Sequence, residues 1–334
     1  MSTARASTTF KAFRLMPGDP APVRTLCTMT QDELSEGDVL IDVAYSSINY
    51  KDALASRGLN GIIRQWPRIG GIDLAGTVRE SADPRFTRGD EVVVHGFGIG
   101  VDHDGGHAQM ARVKADWVMP VPGELSLFDA AAIGAAGYTA ALSLHLMELN
   151  GLTPQQGPIL VSGATGGVAS LAIDMLAQCG YAVTAMSGKP EAADYLRGLG
   201  ASEVIGRLAL QPRPKPLEKA QWAGAVDSVG GATLAWLTRT MLPGGVIAAF
   251  GNAGGAELET TVLPFILRGV RLLGINANSP MPVRVAVWER IAAQFRPRHL
   301  HAIATVIGLE DLPTWLDRTL DGKVRGRTVI DMRR

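Results

Sequence analysis

The stretch PILVSGATGGVASLAIDMLAQCGYAVTAMSGK, residues 158–189, decides the fold. It opens on a short apolar run, Ile159 to Val161, that predicts a buried strand. A glycine-rich turn follows. Val168, Leu171, Ala172, Met175, Leu176 and Cys179 then recur at spacings of three and four, the mark of a helix with one apolar face. Gly180 ends that helix and a second apolar run, YAVTAMS, begins at once. The unit reads strand, turn, helix, strand. Within the turn Gly163, Gly166 and Ala169 stand three residues apart, and Gly167 is a further position without a side chain. Missing side chains let the backbone approach a pyrophosphate, whose charge is favoured by free N–H groups and the dipole at the helix N-terminus. The segment predicts a dinucleotide site; the alternative is a turn that merely packs tightly.

Working outward, the chain after Pro158 alternates strands with helical segments, as expected of a parallel sheet with helices on both faces. The runs PILVSG, YAVTAMS, SEVIG, AGAVDSV, GVIAAFG and VRLLGIN would make six strands of a doubly wound sheet. Before it, residues 37–113 are short alternating runs broken by Gly and Pro, among them DVLIDVAYS, DLAGTV, DEVVVHGF and HAQMARV, which predict antiparallel strands of a β-rich domain. Residues 126–149 are Ala-rich, lack Pro and read as helices. After Asn276 two amphipathic helices, VRVAVWERIAAQF and DLPTWLDRTL, precede a last strand, RTVIDM, and this tail is expected to return to the first domain. No long period repeats, and the biased run QPRPKP, residues 211–216, is too short to link domains.

The length of 334 residues fits about two domains. Thirty-two basic residues offset thirty-two acidic ones, so no net field draws nucleic acid or an anionic membrane. Two cysteines, Cys27 and Cys179, make no disulfide framework and have no metal-ligand spacing. The N-terminal residues lack the apolar core of a secretory signal, and no apolar run approaches a membrane span, so a cytoplasmic protein is the expectation.

Which dinucleotide binds is decided where the second strand ends, about 20 residues past the glycines, where an acid usually accepts from the ribose 2′-hydroxyl of NAD. Here stand Ser187, Gly188 and Lys189. A carboxylate would repel a 2′-phosphate, whereas Ser187, Lys189 and Arg207 after the third strand can bind one. NADPH is the expected cofactor. The alternative is that Lys189 simply starts a solvated helix.

Together with NYKDAL (49–54), GGIDLAGTV (70–78), the stretch from GDEVVVHGF to KADWV and TVLPFILRGVRLLGIN, this loop resembles the medium-chain dehydrogenase/reductase family, within it the zinc-free acryloyl-CoA reductase subgroup often labelled quinone oxidoreductase-like. The resemblance runs from about Phe10 to Met332. It implies a Rossmann sheet, residues 132–276, inserted into a GroES-like catalytic domain of residues 1–131 and 277–334, with NADPH as donor and a homodimer joined at the edge strands of two nucleotide domains. Cofactor contacts carried over fall at Tyr50, at Thr165, Gly166, Gly167 and Val168, at Ser187, Gly188 and Lys189, and at Arg207, Asn252, Ile266 and Ala277. The chain departs from the pattern at Ala169, where Gly is usual, and at Ala277, where a hydroxyl is commoner.

Zinc alcohol dehydrogenases of the family carry Gly-His-Glu where this chain has Gly71-Ile72-Asp73, and zinc needs three or four N, S or O ligands, so no metal is expected. His103 and His107 are separated by Gly105 and Gly106, which prevent a helix from setting both on one face; a loop or strand edge near the substrate is expected for them, and a hydrogen-bonded strand residue for His95. Without zinc, hydride transfer suits an alkene activated by a carbonyl, and charge building on an enoyl thioester oxygen needs donors. Tyr50 is the candidate donor or proton source, with Asn49 positioning the nicotinamide or the substrate carbonyl; the alternative is a Tyr50 that only packs on cofactor. Lys51 and Asp52 read as a solvated pair, and Arg57, Arg64 and Arg68 as candidate partners for CoA phosphates, the alternative being ordinary solvated surface. Three functions stay open: reduction of acryloyl-CoA or a similar short enoyl-CoA, reduction of quinones or free enones, and an NADPH-binding sensor without catalysis.

Overall fold

Short apolar runs without a polar face bury themselves in a sheet covered on both sides. In the computed structural model, which describes residues 8–207 and 215–334, the six runs after Pro158 do this as one parallel sheet. Across it the strands are Glu203–Ile205, Val183–Met186, Ile159–Ser162, Trp222–Asp227, Met241–Ala249 and Arg271–Gly274. In chain order this is 3-2-1-4-5-6, so the winding reverses beside Ile159–Ser162, and folds of this kind bind ligands at the carboxyl ends of the strands there. Most of the biased run 211–216 lies outside the described residues.

The chain divides into two compact units. One comprises the described residues up to Ala135 with Pro280–Val285 and Ala304–Arg334; the other is Ala136–Ser279 with Ala286–Ile303. Residues 286–303 therefore sit with the parallel sheet, where the resemblance placed them in the catalytic domain. Within that unit Val287, Trp288, Ile291 and Phe295 are buried, and Asp174 of helix Gly167–Gln178 accepts from the backbone N–H of His299 at 2.9 Å and faces its ring Nδ1 at 3.0 Å.

The first unit holds the alternating runs. Its larger sheet runs Ala304–Gly308, Arg327–Asp331, Val39–Ile48, Asp73–Ser81, Glu91–His95, Met119–Pro120, and Met110–Val113 pairs with Val39–Ile48. The last strand, Arg327–Asp331, lies antiparallel to Val39–Ile48, which brings the chain's end back to the first domain. Two strands that alternation does not reveal, Thr9–Met16 and Val23–Thr30, form a hairpin completed by Arg68–Ile69. The residues 126–149 form one helix, Leu127–Leu149, interrupted at Gly134 by non-helical angles, φ 48 and ψ −151. That helix is long and apolar enough to cross a membrane, but most of its window is buried inside the protein.

His95 ends the strand Glu91–His95 with its ring buried. Arg284 donates to the His95 carbonyl at 2.8 Å and lies over the Phe97 ring, 4.3 Å from its centroid. Phe97 in turn stacks on Trp117 at 6.0 Å. Burial first, and the Arg284 charge second, hold the His95 pKa well below the ordinary imidazole value, so the folded protein keeps the ring neutral. The unfolded chain takes up a proton below about pH 6.5 that the folded chain refuses, so stability present above that pH is lost as pH falls, by about 1.4 kcal/mol per unit from this site. The urea midpoint should drop between about pH 7 and about pH 5, and His95→Gln should flatten the drop. Equal slopes for both proteins would refute the assignment.

Candidate active site

A glycine-rich turn serves a pyrophosphate only if the missing side chains are structurally required. Gly163 has φ 59, in the left-handed region, and a Cβ there would sit 2.3 Å from Ser228 Oγ. Gly166 caps the helix Gly167–Gln178 with extended angles, φ −75 and ψ 162, and accepts the helix's first bond from Ser170 N at 2.8 Å. Ala164 N donates to Met186 O at 3.1 Å, tying the turn to the second strand. Thr165 is buried, Gly166 exposed, and Gly167 and Val168 half-buried, so the turn presents backbone to its surroundings. Ala169 is buried, and a methyl is accommodated where the family usually has none.

The end of the second strand gathers the residues expected to meet a 2′-phosphate. Ser187 N donates to Ile205 O at 3.0 Å, and Ser187 Oγ accepts from Lys189 N at 3.1 Å. A Cβ on Gly188 would lie 2.5 Å from Arg207 Nε, so Arg207 packs directly on that glycine. Ser187, Gly188, Lys189 and Arg207 thus form one cluster.

A second glycine junction carries no signal in a strand-by-strand reading. Asp227, buried at the end of the fourth strand, accepts from Ser162 Oγ at 2.6 Å and from Gly230 N at 2.8 Å. Burial pushes its carboxyl above the ordinary range, against the pull of those hydrogen bonds. Gly230 and Gly231 have positive φ, 71 and 51, and a Cβ on Gly230 would meet Gly255 O at 2.6 Å and Asn252 Cα at 3.1 Å. Asn252 is thereby fixed on the surface of a loop clamped to the Asp227 turn, its carbonyl accepting from Gly255 N at 3.0 Å. Ile266 is 70% exposed on helix Leu263–Arg268, and Ala277 is half-buried beyond the sixth strand.

Asn49 and Tyr50 belong to the first unit. Asn49 precedes helix Tyr50–Ser56, and its N–H donates to Asp52 Oδ2 at 2.8 Å. Tyr50 is 48% exposed. Asn49 Nδ2 donates to Asp73 Oδ2 at 2.9 Å, and Asn49 Oδ1 accepts from Arg327 at 3.2 Å. Asp73 and Arg327 are an ion pair, 3.7 Å apart, with side chains 1% and 3% exposed. Asp73 also accepts from Ser47 N at 3.1 Å and Ala135 N at 3.0 Å, and Arg327 donates to Ile48 O at 3.1 Å and Ala132 O at 3.0 Å. Burial lowers the pKa of the Arg327 guanidinium, Asp73 and Asp52 working against it. The Asp73–Arg327 pair was not anticipated; only the carboxylate in Gly71-Ile72-Asp73 hinted at it.

Two expectations are corrected. Lys51 and Asp52 are not a solvated pair: Asp52 is fully buried, accepts from Asn49 N and from Ile72 N at 3.0 Å, and burial pushes its carboxyl pKa up. Arg68 does not face solvent for a CoA phosphate. Its side chain is 10% exposed and bound to Asp104 at 3.4 Å and Ser35 Oγ at 3.2 Å, because Asp104 must be neutralised where it braces Ile69 N at 3.0 Å. Arg64 is exposed, and Arg57 is half-exposed and paired with Asp317 at 2.7 Å, which Arg24 also holds at 2.8 Å. His103 and His107 are both buried and turned to backbone, His103 toward Asp104 O and Glu36 O, His107 toward Ser47 O at 3.2 Å.

The model for the alcohol dehydrogenase GroES-like domain matches residues 35–123, and that for zinc-binding dehydrogenases matches residues 167–293. A putative quinone oxidoreductase of Bacillus subtilis, YhfP, is 49% identical over 91% of this chain and 93% of its own. The chain belongs to the medium-chain dehydrogenase/reductase family. As a member it is an oxidoreductase, with a GroES-like domain and a Rossmann-like parallel sheet. The acrylyl-CoA reductase AcuI of Ruegeria pomeroyi is 46% identical over 90% of this chain and 92% of its own. The yhdH oxidoreductase of Salmonella enterica, solved in complex with NADP, superposes with a TM-score of 0.94 at 43% identity, over 96% of this chain and 99% of its own. The B. subtilis YhfP crystal structure, solved with NAD bound, gives 0.95 at 47%, over 98% and 100%. Among the described residues no three His, Cys, Asp or Glu side chains converge as a metal site, although one of the matching models takes its name from zinc.

The reassignment of Arg68 has a direct test. Arg68→Ala should lower stability by roughly 3 kcal/mol, near the low end for opening a buried ion pair because Asp104 keeps other donors. Arg64→Ala should stay within about 0.5 kcal/mol of the parent in urea unfolding. An Arg68→Ala protein as stable as the parent would return Arg68 to the surface.

Proposed function

We propose that the protein is an NADPH-dependent reductase of the 2,3-double bond of acryloyl-CoA or a similar short enoyl-CoA. The observation that carries the cofactor is the cluster of Ser187, Gly188, Lys189 and Arg207, with Arg207 packed on Gly188 and no carboxylate among the four. The relatives support the same choice, two close ones having been solved with NADP or NADPH and one with NAD. The turn at Gly163, Gly166, Gly167 and Val168 fits the pyrophosphate, since Gly163 has neither the room nor the angles for a side chain and a Cβ on Gly166 would already crowd Gly163 O at 3.2 Å. Thr165, Asn252, Ile266, Ala277 and Tyr50 are the further contacts in this reading.

When bound, the reduced nicotinamide supplies a hydride to the β-carbon of the enoyl thioester. Charge on the thioester oxygen is then met by N–H and O–H donors of the chain, Asn49 and Tyr50, and Tyr50 is the candidate that returns a proton to the α-carbon. Ile72 stands where zinc enzymes of the family have a histidine, so a ketone carbonyl or an alcohol hydroxyl has no metal ligand set to polarise it. Arg57 and Arg64 are the candidates for CoA phosphates. The relative named acrylyl-CoA reductase supports the thioester; the relative named a putative quinone oxidoreductase supports a second reading, in which quinones or free enones are reduced. The homodimer belongs to the proposal: Arg271–Gly274 is an edge strand, and next to it in sequence Val262 and Leu267 are 64% and 63% exposed. A cytoplasmic location belongs to it as well.

Steady-state NADPH oxidation with acryloyl-CoA, acrylate and a simple quinone decides the acceptor. The CoA thioester should exceed both in kcat/KM by about tenfold or more, the yield of a single charge-assisted phosphate contact. No advantage would remove the CoA assignment. Lys189→Asp should weaken NADPH by about a hundredfold while leaving NADH within about twofold. An equal loss for both cofactors would contradict a 2′-phosphate site.

A further inference from the structure

The Asn49 side chain is the member of a buried network that reaches the surface. Ser47, Ile48, Asp73, Ala132, Ala135 and Arg327 are all buried, while Asn49 is half-buried. An asparagine amide has a broad χ2 and two chemically opposite ends, so in solvent it samples both orientations. In this protein the two ends meet opposite charges: Nδ2 faces the Asp73 carboxylate at 2.9 Å and Oδ1 faces the Arg327 guanidinium at 3.2 Å. Flipping the amide would set oxygen against carboxylate and NH2 against guanidinium, losing both hydrogen bonds and making two repulsive contacts.

The charges that fix the amide are themselves fixed. Ser47 N and Oγ hold Asp73 Oδ1, at 3.1 and 2.5 Å, and Ala135 N holds Oδ2 at 3.0 Å. The Ala135 N–H is released for this because the helix is broken at Gly134, and Gly134 cannot carry a side chain, since a Cβ would lie 2.5 Å from Asp73 Oδ2. Arg327 is held through Ile48 O, Ala132 O and Ser47 Oγ. Asp52 pins the Asn49 backbone N–H at 2.8 Å. The bonds to Asp73 and Arg327 use one N–H and one lone pair of the amide, and the Asp52 carboxylate also interacts with the Asn49 side chain.

We propose that the Asp73–Arg327 pair is a positioning device that locks the Asn49 amide in one orientation, so that its NH2 group is turned the right way for the developing charge on the substrate's carbonyl oxygen. The inference rests on the reductase reading but not on the choice of acceptor. It makes Asn49 the catalytic donor and Asp73 and Arg327 residues that act through it.

The test is a double-mutant cycle on single-turnover NADPH oxidation with whichever acceptor the protein turns over best. Asn49→Ala should slow the step about a hundredfold, the usual loss of one preorganised donor, and Asp73→Asn about tenfold. In the Asn49→Ala background Asp73→Asn should then slow the step no further, within about twofold, because the residue through which it acts is gone. NADPH affinity, measured by fluorescence titration without acceptor, should stay within about twofold in all variants. Independent losses that multiply in the double variant would overturn the proposal, as would a parent rate in Asn49→Ala. Should Asp73→Asn fail to fold, Asn49→Asp carries the test. It keeps the side chain's shape and removes the N–H, so it should be as slow as Asn49→Ala; a parent rate there overturns the proposal. Failure of the reductase reading would look different, as no turnover of any acceptor by the unaltered protein.

Discussion

One buried ion pair joins four stretches of chain that are remote in sequence. Arg327 begins the last strand, Asp73 begins the strand Asp73–Ser81, Ser47 and Asn49 flank the end of Val39–Ile48, and Ala132 and Ala135 bracket the break in the long helix. Every member donates or accepts with defined partners, which is the condition under which two charges can be held out of water. Removing either ion would leave the other unpaired at a cost of about 3 to 5 kcal/mol, a large share of the 5 to 15 kcal/mol that holds a domain folded. The pair explains why the chain's end must return to the first domain. It also explains why Gly134 interrupts an otherwise continuous helix.

The parallel-sheet unit is built on a different constraint, the exclusion of side chains. Gly163, Gly188, Gly230 and Gly251 each stand where a Cβ would fall within about 2.6 Å of another atom, and each closes one of the loops at the carboxyl ends of the central strands. At Gly163 and Gly188 the nearest neighbour is a side chain, Ser228 and Arg207, whereas at Gly230 and Gly251 it is backbone. The two constraints differ in kind: absent side chains let backbone and loops approach closely, and paired charges fix the Asn49 amide.

The dinucleotide half was legible because its signals are local. A strand, turn and helix occupy 20 consecutive residues, 159–178, and period and glycine spacing can be read without knowing any distant contact. All six parallel strands fell where their apolar runs predicted. The cofactor cluster at Ser187 and Lys189 was readable from position alone, and only its closure by Arg207 needed coordinates. The catalytic half was harder. Asp52 and Arg68 looked like exposed charges in a polar stretch, since nothing nearby in sequence shows that Ile72 N waits for the first or that Asp104 waits for the second.

By itself, then, the sequence determined the doubly wound sheet, its glycine-rich turn, the want of an acid at the end of the second strand and the replacement of a zinc histidine by Ile72, all of them matters of residue type at short spacing. Tertiary structure alone decided which charges are buried and what they hold. Ser47 and Arg327 meet across 280 residues, and Asn49 and Asp73 across 24. Pairing at such distances leaves no periodicity, because burial of a charge depends on what the folded chain brings to it and not on its neighbours along the backbone.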